Sequence, residues 1–195
     1  MSEQTTLEPT SPAALVVIDV QVAMVDSRDG DPPPYRRDEM LANINVLLAK
    51  ARAAGSRVIY VRHQHARYEP MRPGHPGFEV HPDIAPLTGE TVITKTACDS
   101  FCGTGLDAIL RDAGIGHVVT CGMQTEQCVD TTSRSALHRG FNVTLASDAH
   151  STWDTDALTA EQIVGHVNAT LPNLPGPGVD IIAMPAAEIV FASAN

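Results

Sequence analysis

The run from His117 to Gly140, HVVTCGMQTEQCVDTTSRSALHRG, most constrains what this chain can fold into. His117 to Cys121 is short, apolar and β-branched between Gly116 and Gly122, which is how a strand buried on both faces reads. Val129, Thr132, Ser133, Ala136 and Leu137 then recur at helical spacing until Gly140 offers a C′ stop. A buried strand that turns sharply into a helix is the unit from which parallel sheets are wound. Cys128 stands at the start of this helix, where unpaired backbone N–H groups and the positive end of the helix dipole favour thiolate over thiol. Two readings stand for it: an activated nucleophile, or the small buried hydrophobe that a free cysteine commonly is.

The same alternation runs along the rest of the chain. Ala13 to Val20 is a near-continuous apolar run that reads as a central parallel strand ending on Asp19, and Arg57–Val61, Thr91–Lys95, Asn142–Ala149 and Val179–Met184 read as further strands. Between them, Leu41, Ile44, Leu48 and Ala51 mark a helix closed by Gly55, and Leu106, Ile109, Leu110 and Ala113 mark one closed by Gly114. A capping box, Thr159-Ala160-Glu161-Gln162, opens a helix through Ile163, Val167 and Leu171. Six strands with intervening helices and no internal repeat predict an α/β fold, a three-layer, doubly wound, six-stranded parallel sheet of Rossmann-like type. Residues 1–12 are expected to be a flexible arm and 13–195 a single domain, large enough to bury about 70% of its unfolded surface.

Composition removes several function classes. The formal charge of −10 comes from 23 acidic against 13 basic residues with no basic cluster beyond Arg36–Arg37, which argues against nucleic acid and anionic membranes as partners and for a small-molecule substrate. No run approaches the roughly 20 apolar residues that span a bilayer. The first ten residues are polar without a basic n-region, and the four cysteines contain no Cys-x-x-Cys pair, so a cytoplasmic protein with reduced thiols is expected. Cys98 and Cys102 read as ordinary buried thiols. Gly103-Thr104-Gly105 is too short for a dinucleotide fingerprint, and the chain has no Walker A motif.

Two charges stand at strand ends. Asp19 lies at the carboxyl end of the first strand, where open α/β sheets bind ligands, or else it caps the following loop. Lys95 ends the third strand, and taken alone it reads first as a solvated strand-end lysine. Residues 62–90 hold four of the eight histidines and five of the 14 prolines without periodicity, and so long a loop in a domain of this size reads as a lid. His63, His65, His75 and His81 match no compact metal-ligand spacing, so no metal site is expected there.

Asp19, Lys95 and Cys128, in that order, sit within VVIDVQ (16–21), KTACDSFCGTGL (95–106) and CGMQTEQCVDTTSRSALHRGFNVTLASDAH (121–150). These segments resemble the isochorismatase-like cysteine hydrolases, a superfamily that includes nicotinamidases and carbamoylsarcosine amidohydrolases; the wording of MQTEQCVDTT, HSTWD and LTAEQI is closer to metal-free amidohydrolase or streptothricin-hydrolase-like members. The resemblance implies hydrolysis of a C–N bond in a small amide, lactam or ureido substrate, with Cys128 as nucleophile, Asp19 as general base and Lys95 as its cationic partner. It also implies an oxyanion hole from the backbone N–H groups of Gln124 and Cys128, a cis peptide at Met123–Gln124, no cofactor and a homo-oligomer, in which Trp153 could serve a contact. His63 and Phe101 become candidates to line the substrate pocket, with a packing role equally open for Phe101. Nicotinamidases carry an Asp-x-His pair after the second strand where this chain has Arg62-His63-Gln64-His65, which puts zinc and nicotinamidase or pyrazinamidase activity in doubt. A non-catalytic, redox-sensing protein on the same fold is the other alternative. Isochorismatase itself, which does not use the cysteine, is disfavoured by Cys128.

Overall fold

The first strand, β1 (Ala13–Ile18), is buried at every position, as an unbroken apolar run must be where helices cover both faces of a sheet. The structure, a computed structural model, describes residues 12–26 and 32–192; the expected arm, apart from Pro12, lies outside them. β2 (Arg57–His63), β3 (Thr91–Lys95), β4 (His117–Met123), β5 (Asn142–Ser151) and β6 (Ile181–Met184) complete a six-stranded sheet in the order β3-β2-β1-β4-β5-β6. Every pairing is parallel. This is the doubly wound, three-layer sheet expected.

Alternation along the central strands sorts residues between the two outer layers. Leu15, Val17, Val58 and Tyr60 join one core with Met40, Leu41, Ile44 and Leu48 of α2 (Arg37–Ala53). Val16, Ile18, Ile59 and Val61 join the other, with side chains from α3 (Leu106–Asp112), α4 (Asp130–His138) and α5 (Ala160–Thr170). Each fully buried Leu or Ile contributes about 1.5–3 kcal/mol. The capping box on α5 is formed in both directions, Thr159 to the Gln162 backbone and Gln162 back to the Thr159 backbone. Trp153 is partly buried against the first core and donates from Nε1 to Pro32 O at 3.1 Å.

Several strands outrun the hydrophobic pattern. β2 reaches His63, β4 reaches Met123 and β5 reaches Ser151, because ladder partners such as His63–Lys95 and Met123–Ser151 carry polar residues along once their neighbours are paired. The chain leaves the sheet at edge strand β3 and re-enters at β4 on the other side of β1, so the switch point lies between β1 and β4, where ligands bind in such sheets. There the backbones come unusually close: Gly122 has φ 117°, and a Cβ on it would lie 2.0 Å from Ile18 O. Only glycine lets β4 pass this near the last residue before Asp19.

Candidate active site

Asp19 is the first residue beyond β1 and turns out of the sheet with φ 52°, in the left-handed region that aspartate tolerates better than most residues with a side chain. Its N–H is still held by Val61 O at 2.9 Å. Lys95, the last residue of β3, reaches across with Nζ 2.8 Å from Asp19 Oδ2. The same ammonium donates to Ala97 O at 3.1 Å and Cys98 O at 3.0 Å, so all three of its donors are used. Full pairing is what makes a lysine tolerable at 1% exposure. Burial pushes the Asp19 carboxyl above its usual value, and Lys95 pulls it only part of the way back. Burial opposes the charge on Lys95, but Asp19 and then Cys128 hold it above the ordinary lysine value.

Cys128 sits in a π-helical turn, Thr125–Val129, that leads into α4. Val129 N–H closes the wide turn on Gln124 O at 3.1 Å, and Gln127 N–H donates to the same oxygen at 3.2 Å. Single π-turns of this kind cluster at functional sites. The thiolate expected from the sequence is not the resting form: burial, and next the neighbouring Asp19, push the Cys128 thiol up, and Lys95 does not offset them. The cause is tertiary, since the fold leaves Cys128 only 7% exposed and brings Asp19 beside it, while the Gln127 and Val129 N–H groups of the turn are spent on Gln124 O. The thiol therefore keeps its proton beside a carboxylate that is a stronger base than usual. The Met123–Gln124 peptide is cis.

These groups open into a cavity of about 350 Å³ lined by Asp19, His63, Cys98, Gln124, Gln127 and Cys128, with His65, Met24, Tyr68 and Met71 completing the wall. Met24 comes from α1 (Val22–Val25), and Tyr68 and Met71 come from the long loop after β2, which folds into short 3₁₀ turns at Glu69–Met71, Pro76–Phe78 and Pro82–Ile84. Tyr68 and Met71 thus put part of the expected lid over the cavity. His63 Nδ1 stands 4.0 Å from Asp19 Oδ2 and is buried without a hydrogen-bond partner. Burial first, then Lys95, lowers the His63 pKa to about 4, so the ring is neutral at physiological pH.

Some residues singled out from the sequence lie elsewhere. Phe101 does not line the cavity: it stacks on Phe141 at 6.1 Å between ring centres and belongs to the second core. Cys98 and Cys102 are exposed rather than buried, because the segment after β3 leaves the sheet before α3 begins. The remaining loop histidines serve their own turns. His75 Nδ1 accepts from Gly77 N–H at 3.0 Å, His65 Nδ1 from Arg67 N–H at 3.2 Å, and His81 Nδ1 from Asp83 N–H at 3.3 Å. Arg62 turns to the lid, with Nη1 2.7 Å from Glu79 Oε2 and its guanidinium 4.4 Å above the Phe78 ring, so its charge is paired away from the cavity. Among the described residues, Asp19, His63 and Cys128 form a group whose potential ligand atoms all lie within 4.8 Å of one another.

Gln21 was missed. It is wholly buried, accepts from His63 N–H at 2.7 Å, and donates to Phe78 O at 2.8 Å and His63 O at 3.2 Å. One amide thus ties β1, the end of β2 and the lid together beside Asp19. Its signal was a lone amide just past a buried apolar run, a polar group that must find partners.

A cysteine, an acid and a lysine gathered at the carboxyl ends of β4, β1 and β3 define a Rossmann-like fold with a Cys–Asp–Lys centre at its switch point. The chain belongs to the isochorismatase domain family, which matches residues 13–167. It is 40% identical over 144 residues to a streptothricin hydrolase of Streptomyces noursei, covering 74% of this chain and 51% of that protein. The chain thus spans about half the length of that relative. An isochorismatase-family protein from Chromobacterium violaceum superposes with TM-score 0.78 at 32% identity, covering 91% of each chain. N-carbamoylsarcosine amidase from Thermoplasma acidophilum superposes with TM-score 0.74 at 25% identity, covering 91% of this chain and 98% of that one. No described helix is long and apolar enough to cross a membrane.

Proposed function

We propose that this protein is a cysteine hydrolase that cleaves a C–N bond of a small amide, lactam or ureido compound through a thioester on Cys128. The observation that carries the reading is the buried Lys95–Asp19 pair at 2.8 Å, with Asp19 and the Cys128 thiol lining one cavity and Lys95 behind them. Membership of the family and the likeness to streptothricin hydrolase and N-carbamoylsarcosine amidase support the choice of bond.

Asp19 takes the thiol proton as Cys128 Sγ attacks the substrate carbonyl, and the Gln124 and Cys128 backbone N–H groups receive the developing oxyanion. The tetrahedral intermediate collapses, Asp19 returns the proton to the leaving nitrogen, and the C–N bond breaks to leave a thioester. Water, deprotonated by Asp19, attacks the thioester; the acid departs and the thiol is restored. Lys95 keeps Asp19 oriented and balances each anion as it forms. His63, neutral at working pH, offers a hydrogen bond to substrate, and Met24, Tyr68 and Met71 give an apolar wall. No step calls for a metal or an organic cofactor. A homo-oligomer belongs to the same reading, and analytical ultracentrifugation checks it.

The test is a panel of primary amides, lactams and ureido compounds scored for ammonia or amine release, followed by rapid quench and intact mass spectrometry. A productive substrate should leave an acyl adduct on Cys128. Turnover that persists in Cys128→Ala, or peroxide-sensitive thiol chemistry with no hydrolysis of any panel member, would overturn it.

A further inference from the structure

We propose that Asp19, His63 and Cys128 form an inhibitory site for a thiophilic divalent cation, of which zinc is the type. The inference rests on the geometry of the three side chains and does not need Cys128 to be the nucleophile. One oxygen, one imidazole nitrogen and one sulfur converge within 4.8 Å from the ends of β1 and β2 and from the turn before α4. Oxygen, nitrogen and sulfur are the donors that zinc takes, three from protein and the fourth from water in sites that stay open.

Two of the three donors are unclaimed. His63 Nδ1 and Asp19 Oδ1 are buried with no hydrogen-bond partner. Lys95 holds Oδ2, which His63 Nδ1 approaches to 4.0 Å, and Oδ1 is the carboxylate oxygen left open to a cation. Arg62, the nearest other cation in sequence, is neutralised by Glu79 at 2.7 Å on the lid. Donors around a tetrahedral ion at about 2.0–2.3 Å lie roughly 3.3–3.7 Å apart, so the group closes by about an ångström, through side-chain rotation of His63 and Cys128. The cavity offers the way in.

Binding forms Zn–O, Zn–N and Zn–S bonds and releases the thiol proton to solvent; nothing is oxidised or reduced. The ion would hold the sulfur and the carboxylate together, so neither could act on a carbonyl. This set shares no acid with the Asp-x-His arrangement missing after β2, and its consequence is the reverse: metal stops the enzyme, and chelation releases it.

Cobalt(II) is the probe. In the Cys98→Ser/Cys102→Ser chain, which removes the two exposed thiols, titration with Co²⁺ should saturate at one ion per chain with a near-ultraviolet sulfur-to-cobalt charge-transfer band. His63→Gln, made in both this chain and the native one, should weaken binding at least tenfold, and Cys128→Ser should erase the band. Zinc at the concentration that displaces cobalt should inhibit turnover, and a chelator should restore it. Saturation without the band, a band that survives Cys128→Ser, or an affinity unchanged by His63→Gln would overturn the site. Because the spectrum needs no substrate, a protein that binds cobalt in this way yet hydrolyses nothing would leave the site standing and remove only the proposed reaction.

Discussion

Two clusters of buried polar groups flank the turn that carries Cys128, and they are built on opposite terms. On the satisfied side, where His150, Asn168 and Ser147 border a second cavity of about 250 Å³, His150 Nδ1 meets Thr125 Oγ1 at 2.9 Å, His150 Nε2 meets Asn168 Oδ1 at 2.9 Å, and Asn168 Nδ2 donates to Ser147 O at 2.9 Å. On the side of the Cys128 cavity, Asp19 Oδ1 and His63 Nδ1 are buried without partners. Burial lowers both histidines to about 4, so protonation state does not tell the two sides apart. Satisfaction does. A buried polar group with every partner in place fixes a scaffold, whereas one left open beside a cavity carries a desolvation cost of about 1–3 kcal/mol that a substrate can relieve.

The largest test of this contrast is Cys128→Ala, which should lower kcat by roughly 10⁴-fold or more, as loss of a nucleophile does, and leave the circular dichroism spectrum unchanged. Asp19→Asn should cost about 10²–10⁴-fold in kcat as the base is lost. It also strands Lys95 as a buried unpaired charge, so stability measured by urea should fall by about 3–5 kcal/mol. A stable, active Asp19→Asn would break the cavity side of the comparison.

On the satisfied side, His150→Ala leaves Thr125 Oγ1 and Asn168 Oδ1 without their His150 partner and should cost about 2–4 kcal/mol in urea unfolding, while kcat per folded molecule changes less than about threefold. A kinetic collapse without loss of stability would mean that the two sides are not separable.

The pH profile sharpens the contrast further. Asp19 works as the carboxylate, and its pKa is raised, so kcat/KM should fall as pH drops through a limb above the ordinary carboxylate value of about 3.9. Lys95 works as the ammonium with a raised pKa, so its loss belongs above the ordinary lysine range. His63, at about 4, should give no limb near 6.5. A limb near 6.5 that disappears in His63→Gln would show that this histidine titrates in the working range. The smallest expected effect is that of exhaustive dialysis against a strong chelator: activity should be kept, rising only if adventitious metal was bound. Loss on chelation with recovery on one equivalent of metal would bring nicotinamidase-type chemistry forward.

The sheet was legible because its signal is local. Val16, Val17 and Ile18 read as doubly buried from their neighbours alone, and the stops at Gly55, Gly114 and Gly140 follow from backbone freedom at helix ends, with φ of 68°, 66° and 84°. Asp19, Lys95 and Cys128 were legible as exceptions, polar or reactive residues at the edges of apolar runs. Phe101 was not, since an aromatic side chain next to a reactive segment reads the same whether it faces a cavity or packs on Phe141. Nor were the histidines separable: four lie within 20 residues in the sequence, yet only His63 stands beside Asp19.

The sequence by itself determined the order of strands and helices, the parallel winding and the three residues to watch, because periodicity and chain order carry that information. Only the tertiary structure decided who meets whom. Gln21 finds His63 and Phe78 across 42 and 57 residues of chain, and no local pattern encodes such a pairing. The protonation of Cys128 was decided there too: the dipole of a helix start is a local property, but the loss of water and the nearness of Asp19, more than a hundred residues earlier in the chain, exist only once β1 and β4 lie side by side.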